Sequence, residues 1–366
     1  MSVCLVVFTD LDATLLEQGT YSFLEAWPAL KRLKKLKIPV IMTTSKTRAE
    51  TEAMARKLRL NHPFIVENGG AVIIPKGYFA SSYFKILGLR PISRDRYEVI
   101  PLGTPYRKLR KALARLGKKI SIRLVGFGDL TADQIAALTG LKKNEARLAG
   151  QREFDEPFFL DDNPAIQMLE EKERKRMKTT AEKVSLNRWT VSQAMHGKEE
   201  GLIKKEERWP PAKNSRQFMK RLQQEAKKFG LKITEGGRFY HLTGNNDKGK
   251  AVLLLKKLYR LKFGRIVTIG LGDSANDWPM LKEMDFPVLV ARPDGSHWEF
   301  PPGLKNIYRT REPGPRGWAE AVEYLLSRLE GVNDGSNLVR RKNCGGKAGQ
   351  KSGEKEKIGK NKYKRR

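Results

Sequence analysis

Short apolar runs alternate with amphipathic stretches over the first 90 residues. Val3–Phe8 is almost continuously apolar, the pattern of a parallel strand buried on both faces. Tyr21–Lys37 sets Phe23, Leu24, Trp27, Leu30, Leu33 and Leu36 at helical spacing, and Pro28 predicts a kink or a late start there. Pro39–Thr43 reads as the second strand, Arg48–Leu58 as the second helix and Phe64–Val66 as the third strand. Strand and helix in this rhythm predict an α/β fold, a doubly wound parallel sheet.

The rhythm changes after residue 95. Glu98–Leu102 and Ser121–Phe127 read as strands flanking a helix at Tyr106–Leu116, followed by strands at Phe154–Leu160 and Phe239–Thr243. Helices are expected at Ala132–Thr139, Asn144–Gly150 and Ser215–Phe229. This mixed order predicts an inserted α+β domain. The first pattern then returns: helix Lys248–Tyr259, strand Arg265–Ile269, helix Asp277–Glu283, strand Val288–Ala291 and a last helix Gly317–Leu329. The expected division is a core of residues 1–95 and 246–330 and an inserted cap at 96–245. Within the cap, 163–213 is a charged insertion expected to be a solvated helix or disorder, and 331–366 is a basic, disordered tail.

Composition narrows the class. An apolar fraction of 39% across 366 residues supports an ordinary core and excludes global disorder. No run approaches 18 apolar residues, and the N-terminus lacks the pattern of a signal peptide, so a soluble, cytoplasmic protein is expected. The formal charge of +31 either recruits nucleic acid or favours anionic small molecules. The tail carries 12 Lys/Arg against 3 acids but, apart from Tyr363, no aromatic residue to stack on bases. Nucleic-acid contact through it is therefore a side property at most.

Four strings carry chemistry. The first, Phe8-Thr9-Asp10-Leu11-Asp12-Ala13-Thr14, places two carboxylates at the C-terminal end of a buried strand, where open parallel sheets bind ligands. Asp10 can attack phosphorus, and Asp12 can protonate the leaving oxygen and then activate water. A phosphate beside two carboxylates needs a cation, and Mg²⁺ suits hard oxygen ligands. The second string, Val40-Ile41-Met42-Thr43-Thr44-Ser45-Lys46, offers a hydroxyl for a phosphate oxygen, although Thr-Thr-Ser is also an ordinary helix-capping cluster. In the third, Asn246-Asp247-Lys248-Gly249-Lys250-Ala251, either Lys248 or Lys250 can supply a cation. In the fourth, Gly270-Leu271-Gly272-Asp273-Ser274-Ala275-Asn276-Asp277, Asp273 is placed to ligate a metal, with Asn276 and Asp277 in or just outside its shell.

Together and in this order, the four strings resemble those of the haloacid dehalogenase superfamily of phosphatases, and the cap position is similar to its Cof-type branch. The resemblance implies Asp10 as nucleophile and Asp12 as acid/base, with Thr44 and Lys248 gripping phosphate. It also implies Mg²⁺ held by Asp10, Asp273 and Asp12, the last through its main-chain carbonyl. Lys248 is preferred to Lys250 because the family's lysine usually precedes glycine. Ala13 stands where the family often has glycine, so a milder backbone turn is expected there.

A narrower resemblance covers most of residues 1–163 and 214–330. Thr44-Ser45-Lys46-Thr47, Val66-Glu67-Asn68-Gly69-Gly70-Ala71, Gly126-Phe127-Gly128-Asp129-Leu130-Thr131 and Leu138-Thr139-Gly140-Leu141 are similar to strings of the mannosyl-3-phosphoglycerate phosphatases. So are Arg152-Glu153-Phe154-Asp155-Glu156-Pro157 and Gly236-Gly237-Arg238-Phe239-Tyr240-His241-Leu242. This implies hydrolysis of a sugar phosphate to mannosylglycerate, a compatible solute, and phosphate. Ser45, Lys46, Arg152, Glu153, Glu156, Arg238 and His241 are candidate contacts to that substrate, each with salt-bridging or packing as the alternative. Glucosyl-3-phosphoglycerate and sucrose phosphate are competing substrates, and an RNA-associated protein with a degenerate core is the competing class.

Overall fold

The computed structural model describes residues 3–160, 215–236, 239–299, 303–304 and 306–331, with Gln167, Met168 and Glu171. Arg238, most of the charged insertion and all of the tail beyond Gly331 lie outside the described residues.

The chain opens with β1 (Cys4–Thr9), α1 (Trp27–Lys35), β2 (Val40–Met42), α2 (Arg48–Leu58) and β3 (Phe64–Val66). Alternate β1 side chains enter opposite layers: Val7 packs on one side with Leu30, Leu33 and Trp318, and Val6 and Phe8 on the other with Val252, Leu255 and Tyr259. The near-continuous apolar run is thus explained by burial on both faces. Pro28 occupies the first turn of α1, so the helix starts late and Leu24 is left exposed.

The next elements are β4 (Ala71–Pro75), α3 (Ser81–Ile86), β5 (Ile92–Arg94) and β6 (Tyr97–Pro101). β3, β4, β6 and β5 form an antiparallel sheet in that order, and a parallel bridge from Thr43 to Ile65 joins it to β2. The strand expected at Glu98–Leu102 therefore pairs with Ala71–Pro75, not with the strands that follow it.

A second antiparallel sheet, in the order β7-β8-β10-β9, comes from β7 (Leu124–Gly126), β8 (Asp155–Leu160), β9 (Lys232–Gly236) and β10 (Phe239–Thr243). Leu109, Leu113 and Leu116 of α4 (Tyr106–Ile120) and Leu222 and Ala226 of α7 (Ser215–Lys228) pack with Phe158 and Leu242. Ile135 and Leu138 of α5 (Ala132–Thr139) and Ala146 of α6 (Lys143–Ala149) pack with Val125 and Phe159 instead.

The chain then returns through α8 (Lys248–Phe263), β11 (Ile266–Gly272), α9 (Trp278–Leu281), β12 (Phe286–Ala291), β13 (Tyr308–Pro313) and α10 (Gly314–Gly331). The five-stranded sheet β13-β12-β11-β1-β2 is parallel throughout, with helices on both faces, as a doubly wound fold requires. Among the described residues no helix is long and apolar enough to cross a membrane.

Candidate active site

Parallel register brings the ends of three strands level. Thr9 lies opposite Leu271 on one side and Met42 on the other, so Asp10, Asp273 and Thr44 all follow strands at one edge of the sheet. The Asp10 N–H donates to the Leu271 carbonyl at 2.9 Å. A buried chain supports this end from behind: Trp318 Nε1 donates to Thr9 Oγ1, which donates to the Asp10 carbonyl. Ala13 has φ +57°, so the turn keeps a left-handed conformation despite its methyl group, contrary to the milder turn expected.

Lys248 is the first residue of α8, after Asp247, whose side chain caps the helix by accepting from the Lys250 N–H. A Cβ on Gly249 would lie 2.1 Å from the Pro279 carbonyl oxygen, so glycine lets this helix end approach α9. The Lys248 ammonium is buried and donates to Asp10 Oδ1 at 2.5 Å and Asp277 Oδ1 at 2.7 Å. Lys250 instead turns outward to Asn245. Helix phase thus separates two lysines that charge alone left equivalent.

Asp10, Asp273 and Asp277 offer carboxylate oxygens within 4.8 Å of one another. Burial, reinforced by Asp277, Asp273 and Asp12, pushes Asp10 well above the ordinary aspartate pKa despite Lys248. Burial and Asp277 raise Asp273 to about 7. Burial opposes the Lys248 charge, but Asp10 and Asp277 outweigh it and hold its pKa above that of an ordinary lysine. Three carboxylates facing one ammonium leave a buried, all-oxygen site short of positive charge, which fits a hard divalent cation.

Asp277 carries more than the sequence suggested. Its Oδ2 accepts from the N–H groups of Asp273 and Ser274 and from Ser274 Oγ, closing the loop, while Oδ1 meets Lys248. The side chain of Asp12 stands apart, paired with Lys46 at 3.0 Å. Lys46 also faces Glu50 at 3.9 Å and the Tyr21 ring; burial opposes its charge and Asp12 and Glu50 outweigh it, raising its pKa. Thr44 is fully buried, with its Oγ1 accepting from the Lys46 N–H.

The remaining candidates are bound within the protein. Arg152 donates to the carbonyls of Ser45 and Ala149, both at 2.8 Å. Glu153 pairs with Arg48 at 2.9 Å and with Arg94, and Glu156 meets Arg110 at 3.3 Å and the Gly128 N–H at 3.1 Å. His241 Nδ1 faces the Asp155 carboxylate. Four polar residues with no role assigned from sequence, Thr14, Glu67, Asn68 and Asp155, also line this region. Thr14 donates to Asp273 Oδ1 at 3.0 Å, Glu67 accepts from the N–H groups of Glu153 and Phe154, and Asn68 donates to Asp155 at 3.0 Å. Thr14 had a usable signal, a hydroxyl two residues after Asp12 at the same strand end.

Residues 7–90 and 142–294 match the haloacid dehalogenase-like hydrolase family. A glucosyl-3-phosphoglycerate/mannosyl-3-phosphoglycerate phosphatase of Persephonella marina is 36% identical over 89% of this chain and 98% of its own length. A phosphatase of the same description from Methanococcoides burtonii is 38% identical over 89% and 99%. The mannosyl-3-phosphoglycerate phosphatase of Pyrococcus furiosus is 33% identical over 78% and 90%. Among solved structures, a phosphatase of the haloalkanoate superfamily from Bacteroides thetaiotaomicron shares the fold, with a TM-score of 0.51 at 16% identity over 88% of this chain and 95% of that one.

Proposed function

The chain belongs to the haloacid dehalogenase-like hydrolases and is a phosphatase among them, and from that premise we propose that it dephosphorylates mannosyl-3-phosphoglycerate. The observation that carries the reading is the buried contact of Lys248 with Asp10 and Asp277, beside Asp273, at the C-terminal edge of a parallel sheet. In this reading an Asp10 oxygen attacks phosphorus as the bond to the leaving glycerate oxygen breaks, and Asp12 gives that oxygen its proton. Asp12 then takes a proton from water, which attacks the aspartyl phosphate and releases inorganic phosphate. Lys248 and the Thr44 hydroxyl bind the phosphoryl oxygens.

Asp10 and Asp273, with the Asp12 carbonyl, would hold Mg²⁺, which would neutralise charge on the phosphoryl group and its attacking carboxylate, while Asp277, engaged by Lys248 and the loop N–H groups, braces the Asp273 loop. The ion pair with Lys46 holds the partly exposed acid/base carboxylate in place. The unit built on the β7-β8-β10-β9 sheet serves as the cap, and a carboxylate-bearing leaving group suits the cationic Lys46 and Arg152 beside it.

The glucosyl compound is the second reading, favoured because the two relatives above that match 89% of this chain carry both substrate names. Phosphate release from mannosyl- and glucosyl-3-phosphoglycerate and sucrose phosphate, with Mg²⁺ and with chelator, tests both. Mg²⁺-dependent release from the mannosyl compound is expected. Preference for sucrose phosphate would overturn the substrate, and full activity in chelator would overturn the metal.

A further inference from the structure

Asp155 and His241 form an acid–imidazole pair that the phosphoryl chemistry does not use. Asp155 is completely buried at the start of β8, and both its oxygens face His241 Nδ1, at 3.0 and 2.9 Å. Thr243 lies directly opposite Asp155, and His241, two residues along β10, projects from the same face of the sheet. A carboxylate accepts hydrogen bonds, so the ring nitrogen that faces both its oxygens is the one that carries N–H. That fixes the tautomer and leaves Nε2 as the ring nitrogen for a ligand.

This pair is linked to the phosphate site by one side chain. Asn68 donates from Nδ2 to Asp155 Oδ2 at 3.0 Å, and its Oδ1 accepts from Asn276 Nδ2 at 3.4 Å, in the loop that carries Asp273 and Asp277. Its carbonyl accepts from Asn246 Nδ2 at 3.2 Å, two residues before Lys248. Asn68 is held in left-handed backbone at φ +54°, between Glu67 at +49° and Gly69 at +84°. A Cβ on Gly69 would lie 2.1 Å from the Asp247 carbonyl oxygen, so the turn is pressed against the segment that delivers Lys248. Consecutive left-handed residues persist only where their surroundings over-determine them, and such runs concentrate at functional sites.

We propose that His241 Nε2 is the cap's contact to a hydroxyl on the part of the substrate beyond the phosphate. Asp155 is the positioning residue that fixes the ring, and Asn68 holds the pair in register with the carboxylate loop. The inference rests on the proposed function for the identity of the substrate, not for the geometry. The phosphoryl end is read by cations that any phosphate ester would satisfy. Discrimination therefore falls to groups that bind hydroxyls, and a site built to bond a hydroxyl rejects analogues lacking it by large factors.

The test compares mannosyl-3-phosphoglycerate with acetyl phosphate, which has a phosphoryl group but no sugar. His241→Ala is expected to raise KM for the sugar substrate by about tenfold more than for acetyl phosphate, with kcat less affected. His241→Gln should recover part of the loss, and Asp155→Asn should shift the same ratio in the same direction by a smaller factor. Equal losses on both substrates would overturn the proposal. Independently of any variant, the His241 Nε2 resonance in ¹⁵N NMR of the intact protein should move on adding mannosylglycerate and stay in place with inorganic phosphate. An unmoved resonance would also overturn it. If the protein hydrolyses acetyl phosphate but no glycosylated phosphoglycerate, the functional reading fails. The same ratio and titration, run with whichever sugar phosphate is turned over fastest and with its dephosphorylated product, then decide the role of His241.

Discussion

Replacing Lys248 by methionine isolates the electrostatics of the cluster. The side chain is fully buried, and methionine is close enough in shape that no large cavity opens. At 2.5 Å from Asp10 and 2.7 Å from Asp277, each contact is worth about 6–7 kcal/mol of attraction at an effective dielectric constant of about 20. Desolvation of the ions offsets most of that. What the substitution exposes is the cost of leaving buried carboxylates without their cation, about 3–5 kcal/mol. At about 2 °C per kcal/mol for a chain of this length, melting in chelator should fall by about 6–10 °C. Mg²⁺ at about 100 times the variant's Kd should return about 2.7 kcal/mol, and the parent should gain less at that same concentration, because in the variant Mg²⁺ is the only strong positive charge in the cluster. Lys250→Met, altering an exposed lysine bonded to Asn245, should stay within about 0.5 kcal/mol of the parent. The readout is thermal and urea unfolding with and without Mg²⁺. A Lys248→Met protein as stable as the parent in chelator would refute the argument that the ammonium offsets three crowded carboxylates.

Three further outcomes follow from the same geometry. Asp10→Asn should reduce phosphate release by about 10⁴-fold or more while melting in chelator stays level or rises, since a neutral side chain relieves the cost of burying a charge and the repulsion that together raise Asp10; multiple turnover by this variant would refute the nucleophile. Thr14→Val removes the hydroxyl that donates to Asp273 at 3.0 Å and should weaken Mg²⁺ binding by about tenfold in calorimetry, whereas unchanged affinity would leave Thr14 a packing residue. Burial raises Glu67 to about 8, against the pull of Arg152 and the Phe154 N–H. Its contribution to stability is therefore complete below the ordinary value of 4.5 and is lost as pH rises through about 8, on the order of 5 kcal/mol in all. Glu67→Gln should flatten that slope in urea midpoints across the range, and parallel profiles for variant and parent would show that Glu67 does not titrate there.

The four strings were legible because each is contiguous and follows a strand read from its apolar residues. Asp10, Asp273 and Asp277 needed only adjacency in sequence to be picked out. The choice of lysine was not legible from charge, because it depends on which side of α8 each residue faces relative to the Asp247 cap. Three strands left no signal. Ile92–Arg94 is exposed throughout, Tyr308–Pro313 buries only Thr310, and Lys232–Gly236 opens on a lysine, so none has an apolar run to recognise. The pairing of Tyr97–Pro101 with Ala71–Pro75 was hidden because two intervening elements separate the partners. Asp155 was overlooked because its role is set by Asn68 and His241, each 86 or more residues away along the chain.

The site is assembled by sheet order more than by any single string. β1 lies between β2 and β11, and every neighbour runs parallel, so the residues after these strands meet at one edge. The chain order reverses at β1, which opens a crevice there. The path of the intervening segment then follows. Its start is tied down where the N–H groups of Leu102 and Gly103 both donate to the Gly70 carbonyl, at 2.9 and 2.8 Å. Its end is tied down where Asn246 donates to the Asn68 carbonyl. Entry and exit are thus fastened to one turn, residues 68–70, at the edge that carries Asp10 and Lys248. Whatever is inserted between them is anchored beside Asp10 and Lys248. A chain built this way can change the leaving group it accepts by altering that unit, while Asp10, Lys248, Asp273 and Asp277 keep their positions on the parallel sheet.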